Sequence, residues 1–224
     1  HYLSSSYRSR VAPVETRTSQ ALNIQVDIDW IDYAAGSSAA IERVFGPVEA
    51  DLTVSGGAET LAKNGLRTGL AGRQFFGALS GGSGVLSRRS FQSLMVLGNH
   101  TGRFRVGEEQ VEPITLHHCD RRHEMKPLAA AQAVFHFEVT PKQIPSGELK
   151  LRLVPILVFY AAEGQQTISF PDLAIEAIVR DGESIAVGGI GTPVPTLGST
   201  FVRSGSSRPD VGSILLLTPK MRSY

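Results

Sequence analysis

The residues best equipped for chemistry lie in one stretch, HHCDRRHEM, residues 117 to 125. It holds three of the six histidines, the only cysteine, an aspartate and two arginines. A zinc site needs three or four ligands converging at about 2.0–2.3 Å. His117, His118, Cys119 and His123 supply the atom types, but no His pair sits one helical turn apart and there is no second Cys. Adjacent His117 and His118 point to opposite faces of a strand, and Pro113 and Pro127 argue against a helix. A Cys119 nucleophile needs a base fixed by a third group in a cleft, whereas this stretch reads as a mobile loop. The plainest reading is a polar loop between two strands. An enzyme holding a metal in the 117–124 loop stays as a competing reading that a bound-metal assay decides.

Other candidates are thinner. Asp27, Asp29 and Asp32 supply the paired carboxylates of acid–base or divalent-cation chemistry. Asp27 and Asp29, however, lie on the polar face of an amphipathic strand, where solvated acids are ordinary. Asn99-His100-Thr101 is a formal glycosylation sequon in a predicted turn, where turn chemistry alone explains the Asn. The glycines at 81, 82 and 84 and at 188, 189 and 191 match neither a phosphate loop nor a dinucleotide fingerprint. No Ser–His–Asp signature and no basic-aromatic surface for nucleic acid is present. The reading is therefore of a protein that is not an enzyme and needs no cofactor or metal.

The elements around the loaded stretch are mostly strands. Residues 1–19 are rich in Ser, Arg and Thr and read as an arm or linker. From Leu22 to Trp30 the chain alternates, with Leu22, Ile24, Val26, Ile28 and Trp30 on one face. Residues 34–80 hold one or two short helices, in SSAAIERVF and AETLAKNGL, both rich in Ala, Leu and Glu. GALSGGSGV, residues 77–85, reads as a flexible loop, and residues 47–90 stay unassigned. Beyond residue 91 strand follows strand. SLMVL leads through Gly98–Gly102 to RFRV, with Phe104 and Val106 on one face. VFHFEVT and LKLRL flank the turn IPSGE. DLAIEAIV and ESIAVGG flank Asp181-Gly182, which predicts a two-residue hairpin. SILLLTP is the last strand, ended or edged by Pro219. The predicted fold is mainly β, antiparallel and built mostly from hairpins, with 20–224 as one core.

Composition bounds the partners. The chain has 224 residues, 42% hydrophobic and 19% charged, enough for a packed core. Its 22 basic and 21 acidic residues nearly cancel, giving no general pull toward nucleic acid or anionic lipid. A single cysteine makes no internal disulfide. No stretch approaches the ~20 apolar residues of a membrane helix, which leaves a β-barrel open, since its strands need only about 9–11 alternating residues. The chain begins His1-Tyr2-Leu3 with no initiator Met and no signal peptide, so it is expected to be a trimmed or processed product.

The order of motifs from about residue 91 onward resembles the secretin family, the outer-membrane channel proteins of bacterial type II and type III secretion and type IV pilus systems. GNHTGRFRVGEEQVEPIT is similar to the family's turn and strand ending in Val-Gly-Glu-Glu and then Val-Pro. FHFEVTPKQIPSGELKLRLVP is similar to its Pro…Gly hairpin. IEAIVRDGESIAVGGI, VPTLGSTF and ILLLTPKM resemble its Gly-Gly-Leu, Val-Pro-x-Leu-Gly and closing Thr-Pro-Arg elements. The residues that carry the likeness are Gly107, Asp181, Gly182, Gly188, Gly189, Pro195, Gly198, Thr218 and Pro219.

The resemblance implies a homo-oligomeric ring in the bacterial outer membrane or cell envelope. Its copies contribute strands to a double-walled barrel, it serves protein secretion or pilus passage, and it docks with other machinery components. Gate-forming segments follow the Val-Gly-Glu-Glu…Val-Pro element in the family. That implies a gate from Val111 to about Ala133, with Val111, Pro113, Thr115, His117, His118, Arg121 and Arg122 facing the lumen. Rings of these His and Arg side chains would sense pH and select against cationic cargo. The chain departs from the pattern where TPVPTLGSTFVRSG lacks a second Pro-x-Leu-Gly, where Val211-Gly212-Ser213 replaces Glu-Leu, and where Gln110 is inserted before Val111. The shortened element lies near the membrane-inserting part and favours an alternative, a scaffold ring of an envelope complex without a pore. An outward apolar band is the discriminating feature. LVPILVFY supplies one, flanked by Phe159, Tyr160 and Phe170.

Overall fold

The structure is a computed structural model and describes residues 23–34, 45, 52–72, 75, 85–97, 100–161, 163–189, 195–198 and 211–222. The expected arm at 1–19, the helix at SSAAIERVF apart from Phe45, the 77–84 loop and Asn99 lie outside these residues.

In chain order the elements are β1 (Asn23–Ala34), β2 (Leu52–Val54), α1 (Ala58–Lys63), β3 (Leu66–Ala71), β4 (Val85–Leu97), β5 (Gly102–Gln110) and β6 (Ile114–Cys119). They continue as β7 (Met125–Gln143), β8 (Leu149–Ala161), β9 (Gly164–Ser169), a 3-10 turn (Pro171–Leu173), β10 (Ile175–Val179), β11 (Ser184–Gly189) and β12 (Val211–Arg222). The fold is mainly β and antiparallel, as the alternation predicts. The helix expected in AETLAKNGL is α1.

The strands form two sheets, ordered β3-β11-β12-β1-β4 and β2-β10-β8-β7-β5. In the second, β6 pairs with the free end of β7 and β9 with the far end of β8. The sheets share one core. Ile24, Val26, Ile28 and Trp30 of β1 and Leu215 and Leu217 of β12 meet Phe104, Phe135, Phe137, Leu151, Leu153 and Ile175 of the second sheet. Alternation therefore has the meaning read from the sequence, with one face of each strand buried in a shared interior. The alternation in β1 stops at Trp30, because Ile31, Asp32 and Tyr33 are all buried. Ile31 and Tyr33 join Phe75, Ile214 and Leu216 in a second cluster on the outer face. Phe45 packs against that cluster and lies so close to Gly188 that a Cβ there would come within 2.7 Å of its ring.

One sequence expectation is corrected. Asp181-Gly182 does form a turn, with Gly182 at φ 80° and Glu183 N–H donating to the Arg180 carbonyl at 3.0 Å. It does not close a hairpin. β10 pairs with β2 and β8, whereas β11 pairs with β12 and β3. The turn carries the chain from one sheet to the other. Ile175, Ala177 and Val179 then enter the core from one side and Ile185 and Val187 from the other. Burying both sets in one interior outweighs the local pairing that Asp-Gly favours. The β4–β5 connection also changes sheet. IPSGE is a true hairpin turn, with Gln143 opposite Leu149 and Gly147 at φ 86°.

Residues 52–71, which apart from the helix in AETLAKNGL had no place in the expected β core, are integral to it through Leu52, Leu61 and Leu66. Two of the strand prolines fall where a neighbouring strand is missing on one side. Pro155 sits in the gap on β8 between the β10 pairing, which ends at Leu153, and the β9 pairing, which starts at Ile156. Pro219 lies past the last β11 partner, Ile185 opposite Leu217. Beside it, Ser184 and Thr218 hydroxyls meet at 2.6 Å.

Candidate functional site

The loaded stretch is a β-hairpin rather than a loose loop. Ile114–Cys119 pairs in register with Met125–Ala130, Cys119 opposite Met125 and Ile114 opposite Ala130. The tip is built on Asp120. Its Oδ1 accepts from the Arg122 and Glu124 backbone N–H groups at 2.9 and 3.2 Å, and its Oδ2 takes the Lys126 ammonium at 2.5 Å. The Lys126 hydrogen bond does most to hold the Asp120 carboxyl at about 2, outweighing the desolvation that opposes it. His123 completes the turn at φ 61°, a left-handed conformation rare outside glycine. Asp120 and Lys126 thus spend their charge on the shape of the turn.

The hairpin lies against three separate parts of the chain. The first is the end of α1. Asn64, fully buried, donates from Nδ2 to the carbonyls of Thr60 at 2.8 Å and Cys119 at 2.7 Å, and its Oδ1 accepts the Cys119 N–H at 2.9 Å. The side-chain amide stands in for the neighbouring strand that β6 lacks there, pairing both backbone groups of Cys119. The second is the 195–198 segment. His117 N–H donates to the Pro195 carbonyl at 2.9 Å, and Gly198 N–H to the Asn64 carbonyl at 2.7 Å. A Cβ on Gly198 would lie 2.5 Å from that carbonyl and 2.6 Å from the Gly65 carbonyl carbon, so glycine is required for the close approach. The third is the 3-10 turn, where the His118 ring rests on Phe170 at 4.9 Å between centroids and Arg121 forms an ion pair with Asp172.

The predicted gate residues divide accordingly. Val111, Pro113, Thr115, Arg121 and Arg122 are exposed, and His117 is half-buried beside Pro195. His118 turns toward its own chain. Burial dominates its surroundings and lowers its pKa below 6.5, despite the opposing pull of Asp120 and Asp172. Its Nε2 is buried without a hydrogen-bond partner among the described residues. Cys119 is buried, and burial raises its thiol pKa, away from a reactive thiolate. Among the described residues no three His, Cys, Asp or Glu side chains come together to hold a metal.

The three strand acids also separate. Partial burial would raise Asp27, but hydrogen bonds from Lys220 at 2.6 Å, Ser93 at 2.6 Å and Gln25 at 2.5 Å bring it to about 2. Asp32 accepts from the Trp30 indole N–H at 3.0 Å and the Ser213 hydroxyl at 2.8 Å. Both are structural acids. The LVPILVFY band is corrected as well. Val154 to Phe159 are buried within the chain, Phe159 and Phe170 belong to the shared core, and Tyr160 alone of the three aromatics is exposed.

Asn64 and Asp120 carry no role in the sequence reading, and Phe170 enters it only as an aromatic flanking the expected apolar band, not as the seat of His118. Asn64-Gly65 does carry a helix-stop signal, and Gly65 has φ 76°. Nothing local says that the Asn side chain reaches a strand 55 positions away.

No protein-family model matches the chain, and no curated protein matches it. Among solved structures it is similar to the type IV competence pilus secretin PilQ of V. cholerae, at 12% identity and a TM-score of 0.25, covering 91% of this chain and 58% of that one. It is also similar to the InvG secretin domain β-barrel of the Salmonella SPI-1 injectisome, at 11% identity and a TM-score of 0.26, covering 91% of this chain and 63% of that one. The chain spans about three fifths of the length of these two solved chains, and the likeness is a weak, secretin-like one.

Proposed function

We propose that this chain is a secretin-like subunit of a homo-oligomeric ring in the bacterial cell envelope, in which the 114–130 hairpin is the gate of an outer-membrane channel for secretion or pilus passage. One observation carries the reading. Among the described residues each sheet ends on both sides in a strand with no further strand beyond it, β3 and β4 in one and β2 and β5 in the other. Such edges are templates for pairing with another chain. Two unpaired edges at opposite ends of each sheet fit head-to-tail addition, which closes into a ring when the rotation allows. The two sheets then become two concentric walls with no edge left. The motif order from residue 91 onward supports the same reading.

A second reading is a scaffold ring without a pore, favoured by the burial of Val154 to Phe159, which leaves that stretch no apolar band for lipid. Particle size settles between them. The protein, expressed with its native upstream sequence, is extracted with and without detergent and imaged by negative-stain microscopy. Rings that need detergent support the channel, and rings without it support the scaffold. The edges are tested directly by pairing Arg103→Cys on β5 with Thr53→Cys on β2, both exposed. Mild oxidation should then give a ladder of linked subunits. Monomers in both experiments would sink the ring.

A further inference from the structure

The docked hairpin has the layout of a flap hinged at one level. On β5 the pairing with β7 breaks between Val106 and Gln110, and on β7 the pairing with β8 breaks between Ala131 and Val134. Gln132, inside the second break, has φ 49°, a left-handed strain for a non-glycine residue. Both strands entering the hairpin are thus irregular at the same height, and β8 does not pair with β7 beyond Ala131 opposite Tyr160. Beyond that line, among the described residues, the hairpin has its own internal pairing, its docking contacts and the apolar anchor Leu116, with Ile114 and Leu128 packed against the core beside it.

We propose that the 114–130 hairpin is an acid-released flap, and that His118, seated on Phe170, is the group whose protonation undocks it. The inference rests on reading this hairpin as the moving element of the ring. The imidazole fits its seat only when neutral. Its buried Nε2 has no hydrogen-bond partner among the described residues, so in the doubly protonated ring its N–H finds no acceptor, and the aromatic face of Phe170 does not replace water around a cation at that edge. The charged groups that face it are mixed. Asp120 and Lys126 come from the hairpin itself, Lys126 being directly opposite on β7. Asp172 comes from the 3-10 turn, and its carboxylate is already engaged by Arg121. Asp120 is likewise engaged by Lys126 and two backbone N–H groups, so neither acid is free to serve His118 as a close partner.

The direction follows by linkage. The docked state lowers the imidazole pKa, so the undocked hairpin binds the proton more tightly. His118's contribution to docking is complete above the ordinary value of 6.5 and is lost as pH falls below it toward the docked value. His136, half-buried in the sheet body, is a natural control. Burial and then Arg103 lower its pKa too, but it sits in the sheet body opposite Arg105 and Ile156.

Amide hydrogen exchange, corrected for intrinsic rates, tests this between pH 8 and pH 5 on the assembled protein. The amides of His117 and Cys119 should lose protection on acidification severalfold, up to about thirtyfold at pH 5 for an undocked imidazole near its ordinary value, while those of 134–139 hold. His118→Phe, which keeps a ring on Phe170 but no proton, should abolish the loss, and His136→Phe should retain it. Acid-independent protection, or a loss that persists in His118→Phe, overturns the proposal. Failure of the gate reading looks different. In that case residues 114–130 exchange only together with the sheet body at every pH, or the particles are not rings.

Discussion

The two ends of β7 are held by different physics. From Ala133 to Gln143 it lies between β5 and β8, and Ala133, Phe135, Phe137 and Val139 point into the shared core. From Met125 to Ala130 its one partner is β6, and most of its side chains are exposed. The body end is held by area, at about 1.5–3 kcal/mol for each large apolar side chain buried. The hairpin end has one large fully buried apolar anchor, Leu116, with Ile114 and Leu128 packed beside it, and otherwise relies on a few directed contacts, at about 1 kcal/mol each when made and about 1–3 kcal/mol when one partner is stranded. Area is forgiving and hard to switch, whereas a short list of contacts can be released as a unit. One continuous strand thus joins a fixed wall to a detachable element, and the break at Ala131–Val134 marks the border.

The sharpest way to break this comparison is Asn64→Leu. The apolar replacement strands the Cys119 N–H and C=O, both buried. A loss of about 3 kcal/mol is expected, read from the urea midpoint. More telling is where it falls. Exchange should accelerate at 114–124 and stay slow at 134–139. An even loss along β7 would mean that the hairpin and the wall are one cooperative unit, and the comparison would fail.

Gly198→Ala approaches the same dock from the other side. The new methyl would press on the Asn64 carbonyl and the Gly65 backbone. The cost should be about 1–3 kcal/mol from overpacking, again concentrated in the hairpin because the displaced turn carries Asn64. Leaving the hairpin's exchange unchanged would remove the 195–198 segment from the dock.

The sequence was legible where one strand's own pattern decides its state. The β1 alternation, the IPSGE turn, the AETLAKNGL helix and the strands after residue 91 all follow from local period and turn chemistry. It was illegible where two segments far apart decide together. Asp181-Gly182 is the instructive case, since the dipeptide specifies a turn but not whether the strands it joins share a sheet. LVPILVFY is another, because an apolar run buried on both faces reads like one that faces lipid. In the site, the run of polar residues from His117 to Glu124 hid a hairpin. Asp120 organises its turn through contacts two, four and six residues away, which are local but specific to geometry. Asn64 and Phe170 contribute only through tertiary contact, so no spacing within the hairpin points to them.

Arg121→Ala probes the weakest of the docking contacts and sets the lower bound of the comparison. Arg121 pairs with Asp172 at the rim, with 58% of the Arg side chain exposed. An exposed pair loses most of its Coulomb attraction to water and salt, so removing it should change stability by under about 1 kcal/mol, and by less at high ionic strength. The same charge has a second effect through His118. Without Arg121 the Asp172 carboxylate is freed to draw the proton onto the imidazole. The docked pKa then rises toward 6.5, and the acid sensitivity of the hairpin should shrink even though its stability at neutral pH barely moves. Measuring both on one variant separates the two roles. Unchanged acid sensitivity would show that Asp172 does not reach His118 electrostatically, and would leave burial, aided by Lys126 and opposed by Asp120, to set the direction of the shift.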